Sequence, residues 1–247
     1  MPKTRKQNFI AVITVVLGIA AIQWGNEVAR AFEDNRPSTS IGTVSNGSLE
    51  NGKRLPTSGP NYTAYSRVGA LLGRNTVHSS VRDVVVEAYG ALESSAPGWL
   101  FTYGETGWPS GGRIRPHRSH QNGLSVDFMM PVRSTASAHE PVRFPASLFN
   151  QAGYGLEFDR FGVHERYQID FETVARHLLA LTHASRHHGL TISKVIVAPE
   201  YLPLLRATPS GSSLHEKLPF MHNSAWVRHD EHYHVDFSVD SPRSNRR

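Results

Sequence analysis

The chain has 247 residues and no cysteine, so disulfide bonds and thiolate metal sites are excluded and any metal must be held by nitrogen and oxygen ligands. A hydrophobic fraction of 39% and a charged fraction of 19% are compatible with a packed core, most simply one domain with extensions. The formal net charge of +5 comes without a Lys/Arg run interleaved with aromatic residues, so we expect no nucleic-acid partner.

The N-terminal segment, residues 1–31, has the composition of an export signal. A basic leader precedes an apolar run from Phe9 to Ile22, which is short for a membrane span. Ala29 and Ala31 then have the spacing of small residues at a signal-peptidase site. These features predict a periplasmic protein whose leader is either cleaved as a signal peptide or retained as a membrane anchor.

The rest of the chain divides by composition. Residues 32–62 are rich in Ser, Gly, Asn and Pro, which predicts a linker or a non-regular N-terminal arm lying on the domain. We expect the folded domain to span residues 63–240 and a polar tail to occupy residues 241–247. No internal repeat is visible.

Helical and strand patterns are mixed within the predicted domain. Apolar spacing from Val81 to Leu92 predicts a helix capped by Ser79 or Ser80, and Asp170 can cap a second helix that ends at Gly189. Between and after these helices we expect strands within residues 99–103, 123–130, 191–198 and 226–239, and a loop over residues 104–116. Without a regular βαβ rhythm, this order predicts an α+β fold with a mostly antiparallel central sheet flanked by helices.

Two segments, residues 117–127 and 229–236, carry most of the candidate chemistry. Thirteen of the fourteen histidines lie between His117 and His234. Side chains alternate between the faces of a strand, so His232 and His234 share one face while Tyr233, Val235 and Phe237 share the other.

On its own predicted strand, Asp127 likewise lies on the face opposite to that of the apolar residues Leu124, Val126 and Phe128. If the two strands are neighbours, Asp127, His232 and His234 converge on one point. His120 would reach that point from the preceding loop. The pattern predicts a metal site on one sheet face.

Histidine nitrogens and a carboxylate oxygen suit zinc, and three protein ligands with a fourth position open for water are typical of a catalytic zinc site. A further base must then accept the proton of the water, and His232 is placed for that role. A purely structural zinc site is less compatible with the pattern, because such sites usually take four protein ligands.

The motif Ser-His120-Gln-Asn-Gly-Leu-Ser-Val-Asp127, followed late by His229-x-x-His232-x-His234-Val, resembles the penicillin-insensitive murein endopeptidases. These are zinc peptidases related to D-alanyl-D-alanine carboxypeptidases and lysostaphin-like enzymes. The resemblance covers about residues 41–240 and includes the arm, although Ser48 stands where relatives usually have cysteine. Because the family's disulfides are absent, packing alone must hold the fold.

The resemblance implies a role for each matching residue. His120, Asp127 and His234 would be zinc ligands, His232 the base and His229 an assisting residue. It also implies a second metal near His117 and His164; the carboxylate is not at the family's spacing there, and Asp159 is the candidate substitute.

The resemblance further implies a peptidoglycan substrate and hydrolysis of the amide between D-alanine and meso-diaminopimelate. Two alternatives stay open on the sequence: a D,D-carboxypeptidase that trims the terminal D-alanine, and a zinc-containing module that binds murein without cutting it. Retention of a base beside a full ligand set argues against the binding module. The oligomeric state is not predicted.

Overall fold

The structure is a computed structural model that describes residues 5–137, 140–214, 217–223, 225 and 227–240. The predicted polar tail, residues 241–247, lies outside these ranges, as does Trp226 at the start of the last predicted strand segment. In chain order, the helices and strands are α1 (Arg5–Ala31), β1 (Thr39–Thr43), β2 (Asn46–Glu50), β3 (Lys53–Arg54), β4 (Tyr62–Ala64), α2 (Arg67–Leu71), β5 (Thr76–Val77), α3 (Ser79–Ser95), β6 (Phe101–Tyr103), β7 (Ser125–Met129), β8 (Val132–Ser134), β9 (Pro141–Val142), β10 (Val163–His164), β11 (Tyr167–Ile169), α4 (Phe171–His187), β12 (Leu190–Ile196), α5 (Tyr201–Arg206) and β13 (His232–Val239). Short 3-10 helices occupy Leu148–Gly153 and Gly211–Ser213.

A five-stranded central sheet organises the domain, with strand order β12-β13-β7-β6-β4. All neighbours are antiparallel except β6 and β4. A smaller antiparallel sheet has the order β10-β11-β8-β9, and two further strand pairs are β1-β2 and β3-β5. The predicted α+β class with a mostly antiparallel sheet is confirmed.

One face of the central sheet is covered by α3 and α4, which also pack against each other. Tyr233, Val235 and Phe237 of β13 enter the core on this side and are at most 2% exposed. Aromatic rings continue the packing, since Phe128 stacks on Tyr233 with ring centroids 5.5 Å apart. Burial of this apolar face is the main stabilising contribution, and it leaves the opposite face for polar side chains.

The helix boundaries follow local capping, with one correction. Asp170 accepts a hydrogen bond from the Thr173 amide and caps α4 as predicted. The cap of α3 is His78, whose Nδ1 accepts from the Ser80 amide, so the prediction of Ser79 or Ser80 was wrong. The physical reason is that the Ser79 hydroxyl accepts from the Ser38 amide at 3.2 Å and is engaged by the arm.

The segment predicted as a linker or non-regular arm contains regular strands. β1 and β2 form an antiparallel hairpin in which Ile41 opposes Ser48. The hairpin is tied to the domain through backbone hydrogen bonds, including Leu49 N to Ser110 O at 3.0 Å and Gln121 N to Val44 O at 2.9 Å. Mostly exposed polar strands lack an apolar alternation, which is why the composition resembles a loop.

Candidate metal centre

Strand pairing brings two of the predicted ligands side by side. In the antiparallel pair β7-β13, Asp127 lies directly opposite His234, and Ser125 lies opposite Asp236. Directly opposite residues on one face have side chains within contact distance. The His234 Nδ1 atom is accordingly 2.8 Å from Asp127 Oδ1, and both side chains are almost fully buried.

His120 reaches the same point from the loop before β7. Its backbone has φ of +69°, a left-handed conformation that a non-glycine residue seldom adopts and that turns the ring inward. The loop also depends on Gly107, because a Cβ there would lie 2.8 Å from the His120 carbonyl oxygen. The resulting His120 ring is fully buried, with its centroid 4.8 Å from that of His234.

The hydrogen bonds of His120 fix which ring nitrogen faces the site. Its Nδ1 lies 2.9 Å from the Thr106 carbonyl oxygen, which can only accept, so Nδ1 carries the proton. In the neutral ring, Nε2 therefore presents a lone pair, and it lies 3.3 Å from Asp127 Oδ1. This buried Nε2 has no hydrogen-bond partner among the described residues. A lone pair facing a carboxylate oxygen in a buried site favours a bound cation.

His234 is oriented in a comparable way by Asp236. The His234 Nε2 atom lies 2.7 Å from Asp236 Oδ1, which leaves Nδ1 facing Asp127. Asp236 is itself held by the Ser125 hydroxyl at 2.6 Å and by the Lys194 ammonium at 3.2 Å. A carboxylate behind a histidine fixes its tautomer and raises its basicity in metal sites. The donor set therefore fits a metal such as zinc.

His117 also belongs to this cluster. One ligand atom each from His117, His120 and Asp127 lies within 4.8 Å of the others, a grouping that could hold a metal ion. The His117 Nδ1 atom is 3.8 Å from Asp127 Oδ2. His120 and His234 instead approach the other carboxylate oxygen, Oδ1. The structure thus places next to Asp127 a histidine that the sequence assigned to a second metal.

The two predicted catalytic histidines line the same centre. His232 Nε2 is 3.8 Å from Asp127 Oδ2, and its Nδ1 is 2.8 Å from Glu231 Oε1. His229 lies next to it with ring centroids 4.6 Å apart. The Nδ1 atom of His229 donates to the Val227 carbonyl oxygen at 2.8 Å, so its Nε2 is the nitrogen left to interact with neighbours.

The other two residues assigned to a second metal make their contacts elsewhere. His164 Nδ1 lies 2.7 Å from the Glu157 carbonyl oxygen, and its ring packs on Phe158. Asp159 accepts from the Phe161 and Val163 amides within its own turn. Among the described residues, no contact joins this pair to His117, and the second metal stays a prediction.

Opposing electrostatic effects act on the buried groups of the centre. Burial alone would raise the pKa of Asp127, but the His120 and His232 rings hold it well below its usual range. Burial alone would lower the pKa of His234, yet the Asp236 and Asp127 carboxylates raise it to about 10. Burial lowers the pKa of His117 to about 4. A buried anion surrounded by imidazoles is a site built for positive charge.

Tyr154 and Glu105 complete the polar surroundings of Asp127, although sequence reasoning did not identify them. The Tyr154 hydroxyl donates to Asp127 Oδ2 at 2.9 Å and accepts from the Glu105 amide at 2.7 Å. The Glu105 carboxylate in turn accepts from the Tyr65 hydroxyl at 3.0 Å and pairs with Arg74. No local spacing links these residues, so only the fold could reveal the network.

The centre opens into a cleft of about 690 Å³. Its wall includes His117, His229 and His232 together with Tyr65 and Arg115. Such a volume lies in the range of small-molecule and peptide-binding clefts. The cluster is therefore accessible to a substrate, although the Asp127 and His120 side chains are fully buried.

Comparison with known proteins gives the arrangement a biochemical context. No curated protein matches the chain. The model of one protein family, penicillin-insensitive murein endopeptidase, matches residues 40–245, a range that begins within β1 and extends beyond β13. That family indicates an enzyme, a metallo-type murein endopeptidase, with peptidoglycan as its substrate. Since the match spans most of the 247 residues, the chain belongs to the penicillin-insensitive murein endopeptidase family.

Proposed function

We propose that this enzyme is a zinc-dependent endopeptidase that hydrolyses D-alanyl–meso-diaminopimelate cross-links of peptidoglycan, with His120, Asp127 and His234 as zinc ligands. The observation that carries this proposal is the unpaired, buried Nε2 of His120, 3.3 Å from Asp127 Oδ1. His234 Nδ1 approaches the same oxygen at 2.8 Å, and a cation can take the place of the proton between them. Two nitrogens and one oxygen converge there, which is a typical catalytic zinc set.

A bound zinc ion would supply Lewis acidity, which polarises the scissile carbonyl and makes water a better nucleophile at neutral pH. The protein groups then have to orient substrate and move protons. His232 is the proposed base: its Nδ1 is engaged by Glu231, so Nε2 faces the centre and can accept the proton of the attacking water. The same nitrogen can return that proton to the leaving amine.

His229 is proposed to assist His232. Its ring is in contact with that of His232 and also lines the cleft. Burial lowers the pKa of His229 to about 3, so it is neutral near pH 7 and offers Nε2 as a hydrogen-bond acceptor to substrate or water. A neutral neighbour does not repel a proton gained by His232, whereas a second imidazolium would.

Export is part of this proposal, because peptidoglycan lies outside the inner membrane. The basic leader and apolar run of the N-terminal segment support translocation to the periplasm. A chain without residues 1–31 is expected to stay in the cytoplasm. Identical fractionation of the truncated and full-length forms would contradict the export assignment.

The decisive experiment is digestion of purified murein with identification of the products by mass. We expect monomeric muropeptides to appear from cross-linked dimers, with about one zinc per chain by elemental analysis and inhibition by a metal chelator. Penicillin should neither inhibit nor label the protein, since β-lactams acylate a serine nucleophile. Release of terminal D-alanine alone would favour a D,D-carboxypeptidase, and murein binding without any product would favour the non-catalytic module.

A further inference from the structure

The N-terminal helix has two parts with different surroundings. Apolar residues of its first part are exposed on all sides, among them Phe9, Val12, Leu17 and Ile19 at 61–66%. A helix that binds a protein groove buries one apolar stripe, whereas a helix that is apolar all round is suited to the interior of a membrane. Among the described residues, α1 is the one helix long and apolar enough to cross a bilayer.

The dimensions agree with a bilayer as the occupant. The eighteen residues 7–24, which precede the turns packed against the domain, carry no charged side chain and form one continuous helix. Eighteen helical residues span about 27 Å, close to the hydrocarbon thickness of about 30 Å and within the usual length of a spanning helix. Arg5 and Lys6 precede this stretch, and Trp24, 60% exposed, lies near its other end. Basic residues on the cytoplasmic side and tryptophan at the interface are typical of single-span anchors, and this orientation puts the catalytic domain outside the cytoplasm.

The last two turns of α1 are, in contrast, built into the domain. Asn26 is only 2% exposed; its Nδ2 donates to the Leu55 carbonyl oxygen at 3.1 Å, and its Oδ1 accepts from Asn75 Nδ2 at 3.0 Å. Glu27 accepts from both the amide and the hydroxyl of Thr57, each at 2.8 Å. Backbone packing is equally close, since a Cβ on Gly25 would lie 2.5 Å from a Leu71 methyl group.

We propose that α1 is retained in the mature protein as a single membrane-spanning anchor whose final two turns are a structural part of the catalytic domain. Cleavage after Ala31 would remove Glu27, which accepts from both the amide and the hydroxyl of Thr57, and one of the two acceptors of the Asn75 side-chain nitrogen; Thr57 and Asn75 are buried at 2% and 1% exposure. Because unpaired buried polar groups are destabilising, the folded domain favours the uncleaved chain. The junction is a rigid one, and it keeps α2, which borders the catalytic cleft, next to the membrane-proximal end of α1.

The first test is the mature N-terminus. The full chain is expressed in a Gram-negative bacterium, the membranes are washed with alkaline carbonate, and the detergent-extracted protein is weighed by mass spectrometry. We expect the protein in the washed membranes with a mass that includes residues 5–31. A soluble protein that begins at or near Phe32 would overturn the proposal.

The second test separates a docked helix from a flexible tether. In the detergent-extracted full chain, Asn26→Ala should lower the melting temperature by on the order of 5 °C, because it removes buried hydrogen bonds. Val28→Ala is the matched control, since Val28 lies in the same turn but is 55% exposed; its melting temperature should not change. Equal melting temperatures for the two variants would overturn the built-in junction. Neither test depends on murein cleavage.

Discussion

The two faces of the central sheet each bury histidine, but in opposite electrostatic surroundings. On the apolar face, His177 of α4 is fully buried among aromatic rings, stacked on Tyr89 at a centroid distance of 4.9 Å. Burial lowers its pKa to about 3, and no carboxylate contributes to that shift. On the polar face, His234 is equally buried yet lies between Asp127 and Asp236, which raise its pKa to about 10.

Burial alone thus does not decide the charge of a histidine in this protein. The alternation of β13 delivers Tyr233 to one face and His232 and His234 to the other, and the carboxylates of β7 and β13 occupy only the second face. A neutral imidazole packs as an aromatic ring, whereas an imidazole beside two carboxylates requires a proton or a metal ion. The two faces consequently predict different responses to mutation.

The largest difference between the faces should come from removing a proposed ligand. His120→Ala is expected to lose the bound metal, and its murein hydrolysis should fall to background. Only two of the three proposed protein ligands would remain, which is too few to hold the ion tightly in water. Elemental analysis and muropeptide release measure the two effects. His183→Ala, an exposed histidine of α4, is the matched control and should retain both. Full metal content in the His120 variant would contradict the assignment.

A smaller but still large effect is expected from His232→Ala. General acid–base assistance is worth about 10²–10⁴-fold in rate, so turnover on murein should fall by that range while zinc content and melting temperature are retained. This outcome would distinguish a base from a ligand on the same strand face. If the variant is free of zinc, His232 is a ligand, and His229 becomes the first candidate for the base.

Asp236→Asn tests whether the polar face depends on the carboxylate behind His234. Loss of such an orienting partner typically costs about 10–100-fold in metal affinity or activity. We expect a larger zinc dissociation constant in a chelator competition. Circular dichroism should show that the variant is folded. The control is Asp83→Asn, since that side chain is 46% exposed and forms its ion pair with Arg82. Equal zinc affinities of the Asp236→Asn and Asp83→Asn variants would show that Asp236 does not contribute to metal binding.

The smallest effect concerns stability and belongs to the apolar face. Burial lowers the pKa of His177 to about 3, so the ring stays neutral in the folded protein above that pH, whereas the unfolded imidazole gains a proton below its usual pKa of 6.5. The unfolded state therefore binds more protons between these values, and stability falls as pH decreases through that window. From pH 7 to pH 5 this residue should lower the free energy of unfolding by about 2 kcal/mol.

Urea unfolding at both pH values measures this slope. His177→Phe keeps an aromatic ring against Tyr89 and should reduce the difference between pH 7 and pH 5 by that amount. Loss of the hydrogen bond to Tyr233 destabilises the variant at every pH and so does not affect the comparison. An unchanged slope would mean that His177 takes up its proton over the same pH range in the folded and the unfolded protein.

Local patterns predicted the regular elements well where one face is apolar. The spacing from Val81 to Leu92 and the cap at Asp170 correspond to α3 and α4. The hairpin β1-β2 was not predicted, because its strands are polar and mostly exposed and its pairing gives no alternation in the sequence. The predicted N-cap of α3 was wrong because of a tertiary contact: the amide of Ser38, in the N-terminal arm, donates to the Ser79 hydroxyl.

The sequence by itself determined the family, the α+β class and the segregation of polar and apolar side chains on β7 and β13, because a period of two residues is a local property of a strand. It also identified His120, Asp127, His232 and His234 as candidates. Only the tertiary structure decided that β7 and β13 pair with Asp127 opposite His234, and that His117 lies beside them. It likewise brought Tyr154 and Asp236 to the ligands and docked Asn26 into the domain. These contacts join residues that are distant in the chain or depend on strand register, which no local pattern encodes.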